Sequence, residues 1–175
     1  MSTLECEPLQ FGVYRGVGGK FGAVQFNLQR PHWHNRKTDT RLPNYDAVKN
    51  RNDKEDWKPR TGVIFMEITS ATAPNVYDWD NKITLALNTD DMAQLLNALT
   101  FVGEAKIYHD PDKGKPNEGS RGKTLNLKVI EREKGCLISC SSKDGNKKHS
   151  VPLTFEQATQ LRVLLNRAIS EAFAW

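Results

Sequence analysis

The residues best suited to chemistry in this chain are rings and cations set close together. Tyr14, Trp33, Trp57, Tyr77, Trp79 and Tyr108 fall in or beside segments that join strands, several with Arg or Lys nearby, as in RPHWHNRK and DWKPR. Aromatic rings stack against unpaired bases, worth about 1–3 kcal/mol per base, while cations follow the phosphate backbone. The competing role for Trp33, Trp57 and Trp79 is to pin long connections onto a sheet. Other chemistries have weaker support. His32 and His34 could present two metal ligands from an extended chain. Asp78, Asp80, Asp90 and Asp91 could supply carboxylates for magnesium, but the last two suit the first turn of a helix and the first two a turn. Cys136 and Cys140 share a strand face without a second ligand pair and read as small semi-buried residues. The glycines of Gly16-Val17-Gly18-Gly19 join strand to strand and lack the Lys-Ser/Thr ending and helix of a phosphate loop. No catalytic residue, metal or cofactor is expected, and the chain reads as a non-enzyme.

Composition narrows the class. The chain has 175 residues, 38% hydrophobic and 26% charged, with a net charge of +4, which suits one domain spanning 1–175. No apolar run approaches the roughly 20 residues of a membrane span, and the N-terminus lacks the basic-then-apolar order of a secretory signal. Three cysteines are too few for a disulfide framework and fit a reducing cytoplasm; with the small size, this suggests a bacterial or phage-infected host cell. Between Arg30 and Arg60 lie nine basic residues and five acids, an excess equal to the net charge of the whole chain. Rich in Pro and Asn, residues 31–60 read as a long loop outside the core. Asp110 to Lys123 reads as a second loop.

The elements that must position these side chains follow from periodicity. Shifting by 66 residues places Leu87 on Leu153, Asp90 on Glu156, Asp91 on Gln157, Gln94 on Gln160, Leu95 on Leu161 and Leu99 on Leu165. Each copy is a strand running into a helix. The first helix, about Asp90 to Thr100, has Met92, Leu95, Leu96 and Leu99 on one face, with Thr89 as its cap. The second has a Thr154–Gln157 capping box and an apolar stripe from Ala158 to Phe173. Four strands precede each helix. Val24, Phe26 and Leu28 alternate with Gln25, Asn27 and Gln29 after a turn at Gly18–Gly19. GVIFMEITSATA reads as a nearly continuous apolar strand, followed by Lys82 to Asn88. In the second half Ala105 and Ile107 alternate with Lys106 and Tyr108, and Leu125, Leu127 and Val129 with Asn126 and Lys128. Gly135–Ser141 and Lys148–Leu153 complete the count. The class is α+β: tandem β-β-β-β-α repeats, 10–100 and 101–175, with two antiparallel sheets packed around a helical core.

Two such tandem units, mildly basic and without a catalytic motif, resemble the Whirly superfamily of single-stranded nucleic-acid binders. That superfamily also holds the kinetoplastid guide-RNA-binding proteins and the C-terminal domain of the transcriptional coactivator positive cofactor four. GGKFGAVQF at Gly18 to Phe26 is the nearest stretch to the Lys-Gly-Lys-Ala motif of plant members, and 31–60 is an insertion into the minimal unit. The resemblance implies sheet surfaces that take nucleic acid, helices that form core and oligomer contacts, and assembly as a dimer or tetramer.

A sheet with one face on helices shows its other face to water. The expected nucleic-acid-binding residues are Tyr14, Lys20, Gln25, Asn27, Arg30, Trp33, Lys106, Tyr108, Lys123, Asn126 and Lys128, a mixture suited to phosphates and unstacked bases. The expected function is binding of single-stranded DNA with little sequence readout, in replication, recombination or transcription. RNA binding or annealing on the same fold is the alternative, and a protein–protein adaptor with a merely solvated basic loop is the other.

Overall fold

The computed structural model describes residues 10–16, 21–110, 121–131 and 135–173. Lys20, the Gly18–Gly19 turn and most of the 110–123 connection lie outside the described residues. Twelve strands and two α-helices are described, with short 3-10 turns between some of them.

Sheet one is built from β1 (Gln10–Tyr14), β2 (Gly22–Gln29), β6 (Val63–Ala73) and β8 (Ile83–Leu87), neighbours in that order and antiparallel throughout. The short β7 (Val76–Tyr77) folds back on the far end of β6. Sheet two is a meander of β9 (Glu104–His109), β10 (Lys123–Glu131), β11 (Gly135–Ser142) and β12 (Lys147–Leu153). Strands β8 and β12 each run into a helix: α1 (Thr89–Phe101) and α2 (Phe155–Ala172). The two helices pack on each other and on the sheets.

The period-2 alternation decides which face is inward. Val24, Phe26 and Leu28 of β2 are buried, as are Ile64, Met66 and Ile68 of β6 and Leu125 and Leu127 of β10. Leu95 from α1 and Leu161, Leu164 and Leu165 from α2 join them in one cluster that includes both units. Burying large aliphatic groups stabilises by about 1.5–3 kcal/mol each, so the units share the source of their stability.

The repeat is realised down to its helix caps. The Asn88 side chain accepts from the amides of Asp90 and Asp91, and Asp91 returns a bond to the Asn88 amide. Thr154 and Gln157 form the same reciprocal box on α2. Asn88 and Thr154 stand 66 residues apart. Asn88, rather than Thr89, therefore caps α1: its extended backbone lets the carboxamide reach the first-turn amides.

Three other expectations change. Residues 31–60 are not a structureless loop. They hold β3 (His32–Asn35), β4 (Thr40–Leu42) and β5 (Trp57–Arg60), an antiparallel sheet in the order β4-β3-β5. It has a small interior: Val48 is 0% and Trp57 2% exposed, and Arg51 stacks its guanidinium 5.2 Å from the Trp57 ring centroid. Strand β6 is not apolar on both faces, since Phe65 and Glu67 face outward with Gln25 and Asn27 of β2. Phe173, read as part of the α2 stripe, is exposed at the end of the helix.

Candidate nucleic-acid interface

Register gives the outward rows of each sheet, because directly opposed residues share a face. On sheet one, Tyr14 opposes Ala23 and Thr69; Gly12 opposes Gln25, Glu67 and Thr84; Gln10 opposes Asn27, Phe65 and Ala86. On sheet two, Tyr108 opposes Thr124, Ser141 and Lys148; Lys106 opposes Asn126, Ser139 and Ser150; Glu104 opposes Lys128, Leu137 and Pro152. The rows correspond strand by strand. Each unit has a tyrosine near the end of its first strand and an amide diagonally across on the second, Gln25 in one and Asn126 in the other.

The outer end of each tyrosine ring lies close against a glycine. A Cβ on Gly12 would fall 3.0 Å from Tyr14 Cε2, and one on Gly122 would fall 2.3 Å from Tyr108 Oη. Tyr14 is 53% and Tyr108 51% exposed, so each presents a ring to solvent. The Tyr14 hydroxyl accepts from the Gln25 amide, and the Tyr108 hydroxyl donates to Asp110 Oδ2 at 3.3 Å. Around Tyr14, the rings of Tyr77 and Trp79 lie 5.6 and 6.5 Å away, edge-on. Three of the aromatics singled out in the sequence thus form one cluster at the β1 end of sheet one.

A shallow cleft lined by Gln10, Gly12, Tyr14, Gln25 and Asn27 follows that outer face. A larger one, about 620 Å³, lies where the sheets meet and is lined by Phe65, Thr84, Ala86, His109, Asp110 and Lys123 among others. Lys123 Nζ donates to the Thr84 carbonyl across it at 2.9 Å. The His109 ring bonds Asp91 Oδ2 at 2.9 Å, tying this cleft to the cap of α1. Phe65, Thr84 and His109 were not expected here. The left-handed Phe21 (φ 67°), 51% exposed just before β2, is a further ring that the sequence pattern does not flag.

The remaining expected residues are dispersed. Lys106 and Lys128 are exposed on sheet two, with Asn126 half-buried between neighbouring strands. Arg30 lies beyond the end of β2, its Nε 3.1 Å from Glu171 Oε2. Glu171 is held below the usual carboxylate range, first by its hydrogen bond to Arg167 and then by Arg30. Trp33 sits in the inserted sheet, its ring 5.1 Å from that of Tyr45. Trp57 is buried and serves the interior of the insert.

For metal and thiol chemistry the geometry offers little. Among the described residues no three His, Cys, Asp or Glu side chains cluster, and His34 Nε2 is engaged by Asp39 Oδ1 at 2.8 Å. Burial pushes the thiols of Cys136 and Cys140 up to about 12. Both are core residues, and thiols that high lack the thiolate a ligand or nucleophile needs.

The paired sheets, each leading into a capped helix, match a family model described as Whirly transcription factor over residues 22–164. The chain belongs to the Whirly family. Among curated Whirly relatives it is 24% identical over 82 residues to the single-stranded DNA-binding protein WHY1, chloroplastic, of Solanum tuberosum. That match takes in 47% of this chain and 30% of the relative's length. The fold is that of the plant transcriptional regulator PBF-2, with a TM-score of 0.70 at 18% identity, covering 96% of this chain and 84% of that one. WHY1 from Arabidopsis thaliana superposes equally well, TM-score 0.70 at 19% identity over 96% and 92% of the two chains. Arabidopsis thaliana WHY3 gives 0.68 at 20% identity over 95% and 89%. These matches overturn the expectation of a bacterial or phage-infected cell: the Whirly relatives are plant proteins, and the Solanum protein is named chloroplastic. No described helix is long and apolar enough to cross a membrane.

Proposed function

We propose that this Whirly chain binds single-stranded DNA on the outer faces of its two sheets, with little sequence readout, in replication, recombination or transcription. The observation that carries the reading is the corresponding strand position of Tyr14 and Tyr108, each an exposed ring whose outer end rests against a glycine. An exposed ring offers any base a stacking surface. Beside the rings stand Gln25 and Asn27 on one sheet and Lys106, Asn126 and Lys128 on the other, donors and cations suited to phosphate and sugar. A relative named for single-stranded DNA binding agrees with this reading.

The same reading includes self-association as a dimer or tetramer. It is supported by large apolar side chains left on the helices and their ends: Phe101 is 77%, Val163 63% and Phe155 53% exposed.

The test is tryptophan fluorescence during titration with single-stranded DNA, duplex DNA and single-stranded RNA at two salt concentrations, with a gel-shift assay in parallel. Single-stranded DNA should bind most tightly, with a log–log salt slope of about −0.7 per phosphate neutralised. Lys106→Ala with Lys128→Ala should weaken binding and flatten that slope while leaving the melting temperature within a degree or so, since both side chains are solvated. Tighter RNA binding would favour the RNA alternative. Absence of binding to all three would leave the adaptor reading.

A further inference from the structure

We propose that the inserted sheet of β3, β4 and β5 is a second nucleic-acid contact, holding the sugar–phosphate backbone on the face that carries Arg41, Lys58 and Arg60. The inference rests on the single-strand-binding function and extends it to a part of the chain outside the two repeated units.

The insert sorts its side chains by face. Trp33 opposes Leu42 and Pro59, and Asn35 opposes Thr40 and Trp57. That face is closed by the buried Trp57 and by the Trp33–Tyr45 ring contact. On the other face His34 lies directly between Arg41 and Lys58, and His32 opposes Arg60. Neighbouring strands are about 4.8 Å apart, so these groups form one compact cationic surface. Arg41, Lys58 and Arg60 are all exposed.

The ion pairs of the insert make this surface selective. Three of its five acids are taken by cations away from this face: Lys37 pairs with Asp56 at 2.9 Å, Lys49 with Asp46 at 2.8 Å and Arg51 with Asp53 at 2.9 Å. Asp39 bonds His34 on this face and so offsets one of its three cations, and Glu55 makes no ion pair among the described residues. Among the described residues, none of Arg41, Lys58 and Arg60 makes an ion pair. Like charges gathered across a sheet are destabilising, so folding stability does not explain the arrangement. A polyanion does. The face carries no Trp, Tyr or Phe, which fits contact with backbone phosphates rather than with bases.

Its position puts it on the path of a bound strand. β3 begins three residues after β2 ends, and β5 ends three residues before β6 begins, so the insert grows from the Gln29–Val63 end of sheet one. Tyr14 marks the opposite end, against Ala23. The six-residue step from Ala23 to Gln29 is about 20 Å. A single strand stacked on Tyr14 and running over Gln25 and Asn27 would leave sheet one at the insert.

The experiment uses the full chain and compares a short oligothymidylate, sized for one sheet face, with one several times longer. Arg41→Ala/Lys58→Ala/Arg60→Ala should bind the short strand like the parent protein. It should bind the long one about tenfold more weakly at low salt, with a slope shallower by about 0.7 for each phosphate no longer neutralised. A charge-matched control, Lys37→Ala/Lys49→Ala/Arg167→Ala, removes only cations already paired with acids and should stay within about twofold of the parent on both strands. Arg41→Lys/Arg60→Lys should retain most of the long-strand binding, because the charges that neutralise phosphates and release counterions are kept. Equal weakening by the triple variant and the control, or no weakening by the triple variant, would overturn the proposal. If the parent protein binds neither length, the single-strand reading itself fails and the insert's role falls with it; that outcome is distinct because it precedes any substitution.

Discussion

Two tyrosines set what the outer faces can offer to a base. The outer end of the Tyr14 ring meets Gly12 on its own strand and that of Tyr108 meets Gly122 just before the neighbouring strand, so the two rings are exposed at corresponding strand positions on different seats. Tyr14→Ala and Tyr108→Ala should each weaken single-strand binding by about 1–3 kcal/mol with duplex binding little changed. Gly122→Ala tests the platform itself: the new Cβ would force the Tyr108 ring aside and should reproduce much of the loss while keeping the ring. Wild-type affinity in Gly122→Ala alongside a large loss in Tyr108→Ala would show that the ring matters but its seat does not. Several of these residues were readable from alternation alone. A period of two fixes the face of Gln25, Asn27, Lys106, Tyr108, Asn126 and Lys128 from their immediate neighbours. Phe65 was not readable, because VIFMEI is apolar at successive positions and hides which face is wet. The pairing of Arg30 with Glu171, 141 residues away, and the reach of Lys123 to Thr84 depend on how distant elements meet. No local pattern encodes either.

At the scale of elements, each helix begins with the same reciprocal cap, and α1 ends differently from α2. Val102 closes α1 in the left-handed region, φ 54° and ψ 59°, while its amide bonds the Ala98 carbonyl. A β-branched residue is strained in that region, and Val102 is 38% exposed, so it gains only partial burial in return. Val102→Gly should therefore raise stability by about 1 kcal/mol, a shift of a few degrees in thermal melting. A fall in melting temperature would mean that the valine's packing outweighs its backbone strain. The helices and the eight strands of the two sheets were legible because their apolar periods are long enough to stand out. The insert was not. Its strands are three or four residues long, separated by Asn, Asp and Pro, and composition of that kind reads as loop. What organises it is a nonlocal pairing of β3 with both β4 and β5 and the burial of Val48 and Trp57. A ten-residue window sees neither.

Across the whole molecule, the two units are joined by more than their shared core. His149 of β12 reaches into the first unit: its Nε2 lies 3.0 Å from the Asn81 carbonyl and its Nδ1 2.7 Å from Ser70 Oγ. A carbonyl can only accept, so Nε2 carries a proton and, in the neutral ring, Nδ1 accepts from the serine hydroxyl. Arg15 adds a second tie through its bond to Gln157 Oε1 in the cap of α2, at 3.0 Å. With one hydrophobic cluster spanning both halves, neither repeat has a separate interior to retain when the other opens. Urea unfolding should then follow a single transition by tryptophan fluorescence and far-ultraviolet circular dichroism alike. His149→Leu keeps much of the ring's volume but removes both bonds, and should cost about 1–3 kcal/mol. Combined with Ser70→Ala in a double-mutant cycle, it should show a coupling of about 0.5–3 kcal/mol, since each single change already breaks the shared bond. Strict additivity would mean that the bond contributes nothing across the junction. Two separated transitions in circular dichroism would mean that the repeats, although equivalent in fold, are stable as independent units, whereas an early change in tryptophan fluorescence alone would mean that the insert, which holds Trp33 and Trp57, opens first.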